Sequence, residues 1–331
     1  MSNFRTVLPL EKTNFDINYQ SPILCIGSCF TENTGNLLVA NKFPTLLNPF
    51  GILYNPISIK NSLEILLSEK EYTAKDLFFH QDLWRSFDHH SFFSATNQVQ
   101  ALETINHQIK VAKVFLQQTK RIILTFGTAN VFINKSAGKV VANCHKLPTT
   151  NFEKQRLSVA EITSALLPVL QQLKTQNSTV EIILTLSPVR HIRDGLLENQ
   201  RSKATLLLAL EYLSKELPFT HYFPAYELVL DDLRDYRFFG KDMIHPNEIA
   251  IDYIWNYFQQ TYFSTKTMAI FKQVKKIVQA SQHRPLHPTT ATHQQFVRKQ
   301  LEKIIAFSKQ YPFINLKTEQ EIFQEQLIES K

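Results

Sequence analysis

The chain has 331 residues, 44% of them hydrophobic, which is enough for one large domain or two ordinary ones with sizeable cores and excludes a disordered chain. Every apolar run falls short of the roughly 18 residues that a membrane-spanning helix needs, and the opening MSNFRTVLPLEKTNFD lacks the basic, apolar, small-residue order of a signal peptide, so the sequence reads as soluble and cytoplasmic. The formal charge of +7 is concentrated at one end: residues 264–331 hold 11 Lys+Arg against 5 Asp+Glu and supply +6 of it, leaving the body nearly neutral.

Strand-like apolar runs recur at 23–27 (ILCIG), 121–127 (RIILTFG), 180–189 (VEIILTLSPV) and 220–226 (THYFPAY). Between them lie amphipathic segments near 97–118, 158–175 and 196–216, and the last strand is followed by 247–263. Such alternation, with strands apolar throughout, predicts a parallel sheet covered on both faces: a three-layer α/β/α sandwich, flavodoxin-like in layout. Two insertions interrupt it. An irregular stretch from about 43 to 95 carries LLNPFGILYNP and the aromatic-rich LFFHQDLWRSFDHHSFFS, and NVFINKSAGKVVANCHKLPTTNF reads as a hairpin around Ala137-Gly138 followed by a loop. Both follow strands, and in open α/β sheets ligands collect beyond the carboxyl ends of strands.

After Phe263 the pattern changes to two helical segments, 266–280 and 293–310, with apolar stripes at Ile270, Val274, Ile277 and Val278 and at Val297, Leu301, Ile304 and Ile305. The division is therefore a domain over 1–263 and a basic α-helical extension over 264–331. The stripes would dock on their own domain or suit an interface between copies in a homo-oligomer. The basic face reads as solvated, because no Arg/Gly-rich arm, zinc finger or aromatic-basic RNA motif accompanies it; neither nucleic acid nor membrane is expected as a partner.

Cys25, Cys29 and Cys144 are too few for a disulfide framework, and an odd number leaves at least one free, which fits a reducing compartment. With His145 they could be drawn as a zinc set, but two Cys four apart across a strand-to-helix junction lack the short knuckle spacing. Glycine is scarce, 7 residues against about 23 at average usage, so those retained at the strand ends (Gly27, Gly127) and in the loop at Gly51 mark places where the backbone needs them.

Three groups carry candidate chemistry. Ser28 follows the first strand at Gly27-Ser28-Cys29, where a side chain can face the crevice beside the N–H groups of a helix start; alternatively, Ser28 caps the helix beginning near Thr31. Asp242 and His245 stand three apart in FFGKDMIHPNEIAIDYIW, close enough for the carboxylate to reach Nδ1–H and leave Nε2 free to face a hydroxyl, or they are an exposed pair before a helix that starts at Pro246. No G-x-S-x-G elbow occurs, which disfavours the α/β-hydrolase fold. Consecutive side chains at the Ser28-Cys29 junction point in different directions, and the reading places Ser28 in the crevice and Cys29 beneath the helix; Cys29, a thiol at a helix N-terminus, is the rival nucleophile.

The blocks GSC, GTAN and DMIHP resemble those of the SGNH/GDSL hydrolase superfamily, where Gly-Asp-Ser, Gly-x-Asn-Asp and Asp-x-x-His carry the site. More closely, IGSCFTEN with NPFGILYNP, NCHKLP, LTLSPVRHIRDG and YFPAYELVLDDLRDYRFF is similar to the GSCFA family of SGNH-like bacterial proteins, over roughly residues 20–260. The resemblance implies a serine esterase or O-acyltransferase working on an O-acyl substrate such as an acetylated carbohydrate. Ser28 would be the nucleophile, His245 the base and Asp242 its orienter. The N–H groups of Ser28 and Gly51 would be oxyanion donors, with a side-chain amide from Asn130, Asn143 or Asn48 as the third. No metal or organic cofactor is implied. In GTAN, however, Asn130 falls one position later than Gly-x-Asn would place it, and the second Asp is missing. That departure supports the alternative of a binding module without turnover.

Around this set, His145, Trp84 and His90 (with His80 and His89) are candidates for the pocket wall, against the plainer reading of a buried loop core. Arg190, with His191 and Arg193, could hold an anionic group or form surface salt bridges.

Overall fold

A computed structural model describes residues 5–328 of the chain. Its first strand, β1 (Ile23–Gly27), is buried at every position and feeds directly into α1 (Cys29–Ala40). A short strand β2 (Thr45–Leu47) pairs parallel to β1, with Ile23 opposite Thr45 and Cys25 opposite Leu47. Helix α2 (Pro56–Leu67) comes next, capped by Asn55, whose side chain accepts from the Ser58 N–H, with Pro56 in the first turn. Apolar periodicity does not announce this helix, because buried Ser58 and Ser62 share the face of Ile59, Leu63 and Leu66 and interrupt its stripe.

A two-stranded hairpin comes after it, β3 (Phe78–His80) against β4 (Leu83–Arg85), and then α3 (Gln98–Gln118) returns the chain to β5 (Arg121–Phe126). The hairpin expected around Gly138 forms as β6 (Asn130–Asn134) and β7 (Lys139–Val141), and β8 (Phe152–Arg156) extends it to three strands in the order β7-β6-β8. Helix α4 (Val159–Gln176), closed by a Ser158–Glu161 capping box, leads to β9 (Glu181–Leu186); α5 (Leu196–Glu216) leads to β10 (Thr220–Phe223). A π-helical stretch over Leu228–Leu233 ends at Arg234 with φ 46°, and α6 (Glu248–Tyr262) closes the series.

The five-stranded sheet runs β10-β9-β5-β1-β2 with every pair parallel. Counted within that sheet alone the order is 2-1-3-4-5, the flavodoxin-like arrangement, and its switch point lies between β1 and β5. A crevice therefore opens where Gly27 and Gly127 end neighbouring strands. The core beneath it joins Leu24 and Ile26 of β1, Ile122 and Leu124 of β5, and Ile182 and Leu184 of β9 to the buried faces of α2 to α5. Among the described residues no helix is long and apolar enough to cross a membrane.

The chain divides into two compact units. The first comprises the described part of residues 1–10 together with 22–35 and 45–258, and holds the sheet. The second gathers 11–21, 36–44 and 259 onward. Within it lie α7 (Thr265–Ser281), α8 (Ala291–Gln310) and α9 (Lys317–Glu325). Tyr19 stacks on Phe43 at 4.1 Å, and the buried Glu319 pairs with Lys42 at 2.6 Å.

Candidate active site

At the end of β1, Gly27 takes φ 153°, and a Cβ there would meet the Thr125 carbonyl oxygen at 2.3 Å, so the position excludes any side chain. This tight exit sets the course of the chain into α1. The Ser28 N–H donates to the Thr125 carbonyl of β5 at 3.1 Å and the Ser28 carbonyl accepts from Thr31 at 2.8 Å, turning the chain so that α1 begins at Cys29. Ser28 is 1% exposed and its Oγ has no hydrogen-bond partner among the described residues, whereas Cys29 is half-buried and its Sγ lies 3.7 Å from His245 Nε2. The expected orientation of the pair is thus reversed. Ser28 points into the protein and neither caps α1 nor faces a base, because the strand-end hydrogen bond to Thr125 turns its side chain inward and leaves the next residue on the crevice side.

His245 sits in a turn closed by the Gly240 N–H donating to the His245 carbonyl at 2.8 Å and by a bridge between Phe239 and Pro246. Its Nδ1 is 2.6 Å from Asp242 Oδ2, while Asp242 Oδ1 accepts from the N–H groups of Ile244 and His245 at 3.0 and 3.1 Å. These hydrogen bonds, the one to the His245 ring first, hold the Asp242 carboxyl down to about 2. Asp242 is ionised at any working pH, and an ionised partner on Nδ1 fixes the tautomer that leaves an Nε2 lone pair toward Cys29. Burial pushes the Cys29 thiol upward and Glu32 adds to the rise; Lys203 and the N–H groups of Phe30 and Cys29 oppose it. These surroundings favour the thiol of Cys29 over a preformed thiolate.

Helix α5 organises the other side of the crevice. Its buried face continues the stripe Leu206, Ala209, Leu210 and Leu213 backward into Asn199, Ser202 and Lys203. Each of these ties down a loop. Asn199 Oδ1 accepts from the His191 N–H at 2.9 Å, and Ser202 Oγ accepts from the Ala129 N–H at 2.7 Å. Lys203 Nζ donates to the carbonyls of Gly127 and Ser187, both at 2.7 Å, bridging the ends of β5 and β9. Full burial lowers the Lys203 ammonium to about 7, with the nearby Cys29 acting in the opposite sense. Sequence reading missed this trio; a polar i, i+3, i+4 set that prolongs an apolar helix face beneath two strand ends was the signal.

The family model described as "GSCFA family" matches residues 22–258. The chain belongs to the GSCFA family. A second model, "GSCFA domain protein, C-terminal domain", matches residues 274–329. Among curated proteins nothing matches. Among solved structures, the chain is similar to an acetyl xylan esterase (Est2A) from the rumen bacterium Butyrivibrio proteoclasticus, at 13% identity and a TM-score of 0.29. That match covers 73% of this chain and 65% of the esterase's own.

Within this GSCFA chain, most of the other expected site residues are engaged in internal bonds. The two backbone oxyanion donors are spent: Ser28 N–H on Thr125, and Gly51 N–H on the Asn48 carbonyl at 2.7 Å. Asn130 is spent too, its N–H on Thr128 Oγ1 and its Nδ2 on Asp194 at 2.9 Å. Asn48 uses Oδ1 to accept from Gly27 N–H at 3.0 Å, and its Nδ2 is buried without a partner among the described residues. Asn143 donates to Ser91 Oγ and accepts from the His145 N–H. His145 is buried with Nε2 at 2.7 Å from the Ser86 carbonyl, and burial holds its ring down to about 4. Trp84 belongs to β4, its ring 5.3 Å from Phe79, and His90 packs over Gly51, where an added Cβ would come within 2.3 Å of the His90 Cβ. Arg190 lies over Phe239 at 4.6 Å and Tyr236 at 5.2 Å and donates to the Tyr236 hydroxyl. All three cysteines are free, and among the described residues no group of three or more His, Cys, Asp or Glu could hold a metal ion.

Proposed function

We propose that this protein transfers acyl groups by the SGNH/GDSL scheme with a cysteine in the nucleophile's place, as a hydrolase or O-acyltransferase acting on small O-acyl esters. The observation that carries this is the line Cys29 Sγ, His245 Nε2, His245 Nδ1, Asp242 Oδ2, with steps of 3.7 and 2.6 Å, above the switch point of a 2-1-3-4-5 sheet. The superfamily motif supports it with the register moved by one residue. Laid over Gly-Asp-Ser, the residues Gly27-Ser28-Cys29 put Cys29 at the nucleophile and Ser28 at the preceding buried position.

The chemistry balances on these groups. His245 Nε2 takes the Cys29 proton as Sγ attacks the ester carbonyl, a C–S bond forms, and the carbonyl electrons move to oxygen. Collapse breaks the C–O bond, and the leaving alkoxide takes the proton from Nε2, leaving a thioester on Cys29. Water or an acceptor hydroxyl then gives its proton to Nε2 and attacks the thioester, and the departing sulfur recovers that proton. Asp242 remains ionised throughout and steadies the imidazolium.

Turnover tests the reading. Purified wild type should release acetate from acetylated sugars or 4-nitrophenyl acetate, and both Cys29→Ala and His245→Ala should abolish release. Binding of such esters without turnover, in a folded protein, would overturn it in favour of a binding module.

A further inference from the structure

The acyl-transfer reading needs donors for the developing oxyanion, and of those expected from the sequence only Asn48 Nδ2, which is buried, has no partner among the described residues. Ser28 and Gly51 N–H are spent, and so is the whole Gly127-Thr128-Ala129-Asn130 segment: Gly127 and Thr128 N–H donate to the Tyr54 carbonyl at 2.8 and 3.0 Å, Ala129 N–H to Ser202, and Asn130 N–H to Thr128. Also left at the crevice are the first N–H groups of α1, that of Cys29 foremost, for which no helical partner exists among the described residues, and one ring. His191 comes after β9 and is anchored through its N–H to Asn199. Its ring lies edge-on to Tyr54, with centroids 5.4 Å apart at 85°. Its Nε2 sits 3.1 Å from where a Cβ on Gly127 would be, so the absent side chain at Gly127 is what allows the imidazole to fold over the strand end. Neither ring nitrogen makes a hydrogen bond among the described residues, and neither is sealed from solvent.

We propose that His191 is the side-chain oxyanion donor of the acyl-transfer reaction, presenting an Nε2–H to the substrate carbonyl opposite the Cys29 N–H. The assignment rests on the acyl-transfer reading above and adds a catalytic residue to it. The surroundings keep the ring uncharged: burial first and then the Lys203 ammonium lower it to about 4, against a smaller rise from Asp194, and His245 lowers it further. A neutral donor suits this place. It polarises a carbonyl without repelling the imidazolium that forms at His245, and it gives up no proton to the intermediate.

Two reactions of Cys29 separate the possibilities. Acylation by 4-nitrophenyl acetate passes through an oxyanion, whereas alkylation by iodoacetamide needs only a reactive sulfur. His191→Phe keeps a ring against Tyr54 and Gly127 and removes the donor; His191→Gln keeps a donor. The expected result is a loss of about 10²–10³-fold in acylation for His191→Phe, alkylation within about threefold of wild type, and partial recovery of acylation in His191→Gln. Should the Phe variant fail to fold, His191→Ala replaces it. Unchanged acylation in His191→Phe, a fall in alkylation that matches the fall in acylation, or a loss found in Tyr54→Phe instead, would overturn the assignment while leaving the acyl-transfer reading intact. If wild type is alkylated at Cys29 but never acylated, the acyl-transfer reading itself fails and this assignment falls with it.

Discussion

His245 and His145 both occupy loops beyond strand ends, both make a short hydrogen bond, and the two are used in opposite ways. His245 is about half exposed, with Nδ1 on an ionised carboxylate and Nε2 turned to a thiol. His145 is 2% exposed, its Nε2 on the Ser86 carbonyl and its Nδ1 3.4 Å from both Arg85 and Ser91, and His89 beside it is equally buried with Nδ1 on Ser86 Oγ. One region keeps a ring nitrogen free for a reacting partner, and the other spends its rings on holding a loop together. The difference lies in what each ring faces, a carboxylate and open space or a backbone carbonyl and a neighbouring cation.

Substitutions at the two regions should therefore separate activity from stability. The largest effect is expected at the nucleophile: Cys29→Ala should lower acyl transfer on the order of 10⁴–10⁶-fold, whereas Ser28→Ala stays within about tenfold, as measured by steady-state ester hydrolysis. Equal losses in the two variants would erase the distinction between the crevice and the buried side of the junction. Next, Asp242→Asn should cost about 10²–10⁴-fold in rate by releasing the His245 tautomer, with little change in the urea midpoint. Because Asp242 is held at about 2, its charge should impose no acid limb on the rate above about pH 3.

Lys203→Met should act the other way, on stability. It orphans two buried carbonyls at about 1–3 kcal/mol each, so unfolding in urea should show a loss of about 2–6 kcal/mol. The smallest expected effect is at His145. Its ring is held at about 4 in the folded protein against 6.5 as its ordinary value. The unfolded chain therefore binds more protons between those values, and stability falls as pH drops through that window. His145→Gln should flatten that part of the pH–stability curve by one proton's share, His191 supplying a further one, and leave iodoacetamide alkylation of Cys29 unchanged. An unflattened curve would mean that the ring is not the group titrating there.

Much of the architecture was legible in the sequence. The apolar runs at 23–27, 121–127 and 180–189 and the amphipathic segment at 196–216 coincide with β1, β5, β9 and α5 to within a few residues, because doubly covered strands and long helices announce themselves by period alone. Helix α2 stayed hidden because Ser58 and Ser62 are buried on its core face. The turn at Asp242-His245 was readable because both residues are local to it. The placement of the Ser28 and Cys29 side chains was not, since it goes with a hydrogen bond to Thr125, nearly a hundred positions away. The engagement of the expected backbone donors was hidden for the same reason: the N–H groups of Ser28 and Gly51 are spent only when the carbonyls of Thr125 and Asn48 are brought beside them. Local chemistry is visible along the chain, but long-range hydrogen bonding decides which local groups remain available.

The measurement that bears most directly on the central claim is the site of covalent acylation. Wild type exposed to 4-nitrophenyl acetate and quenched in acid should yield a single acetylated active-site peptide with the acetyl group on Cys29, released by hydroxylamine as a thioester is, and no such adduct should form in His245→Ala. Acetyl found on Ser28, or a stable adduct that persists in Cys29→Ala, would contradict the account.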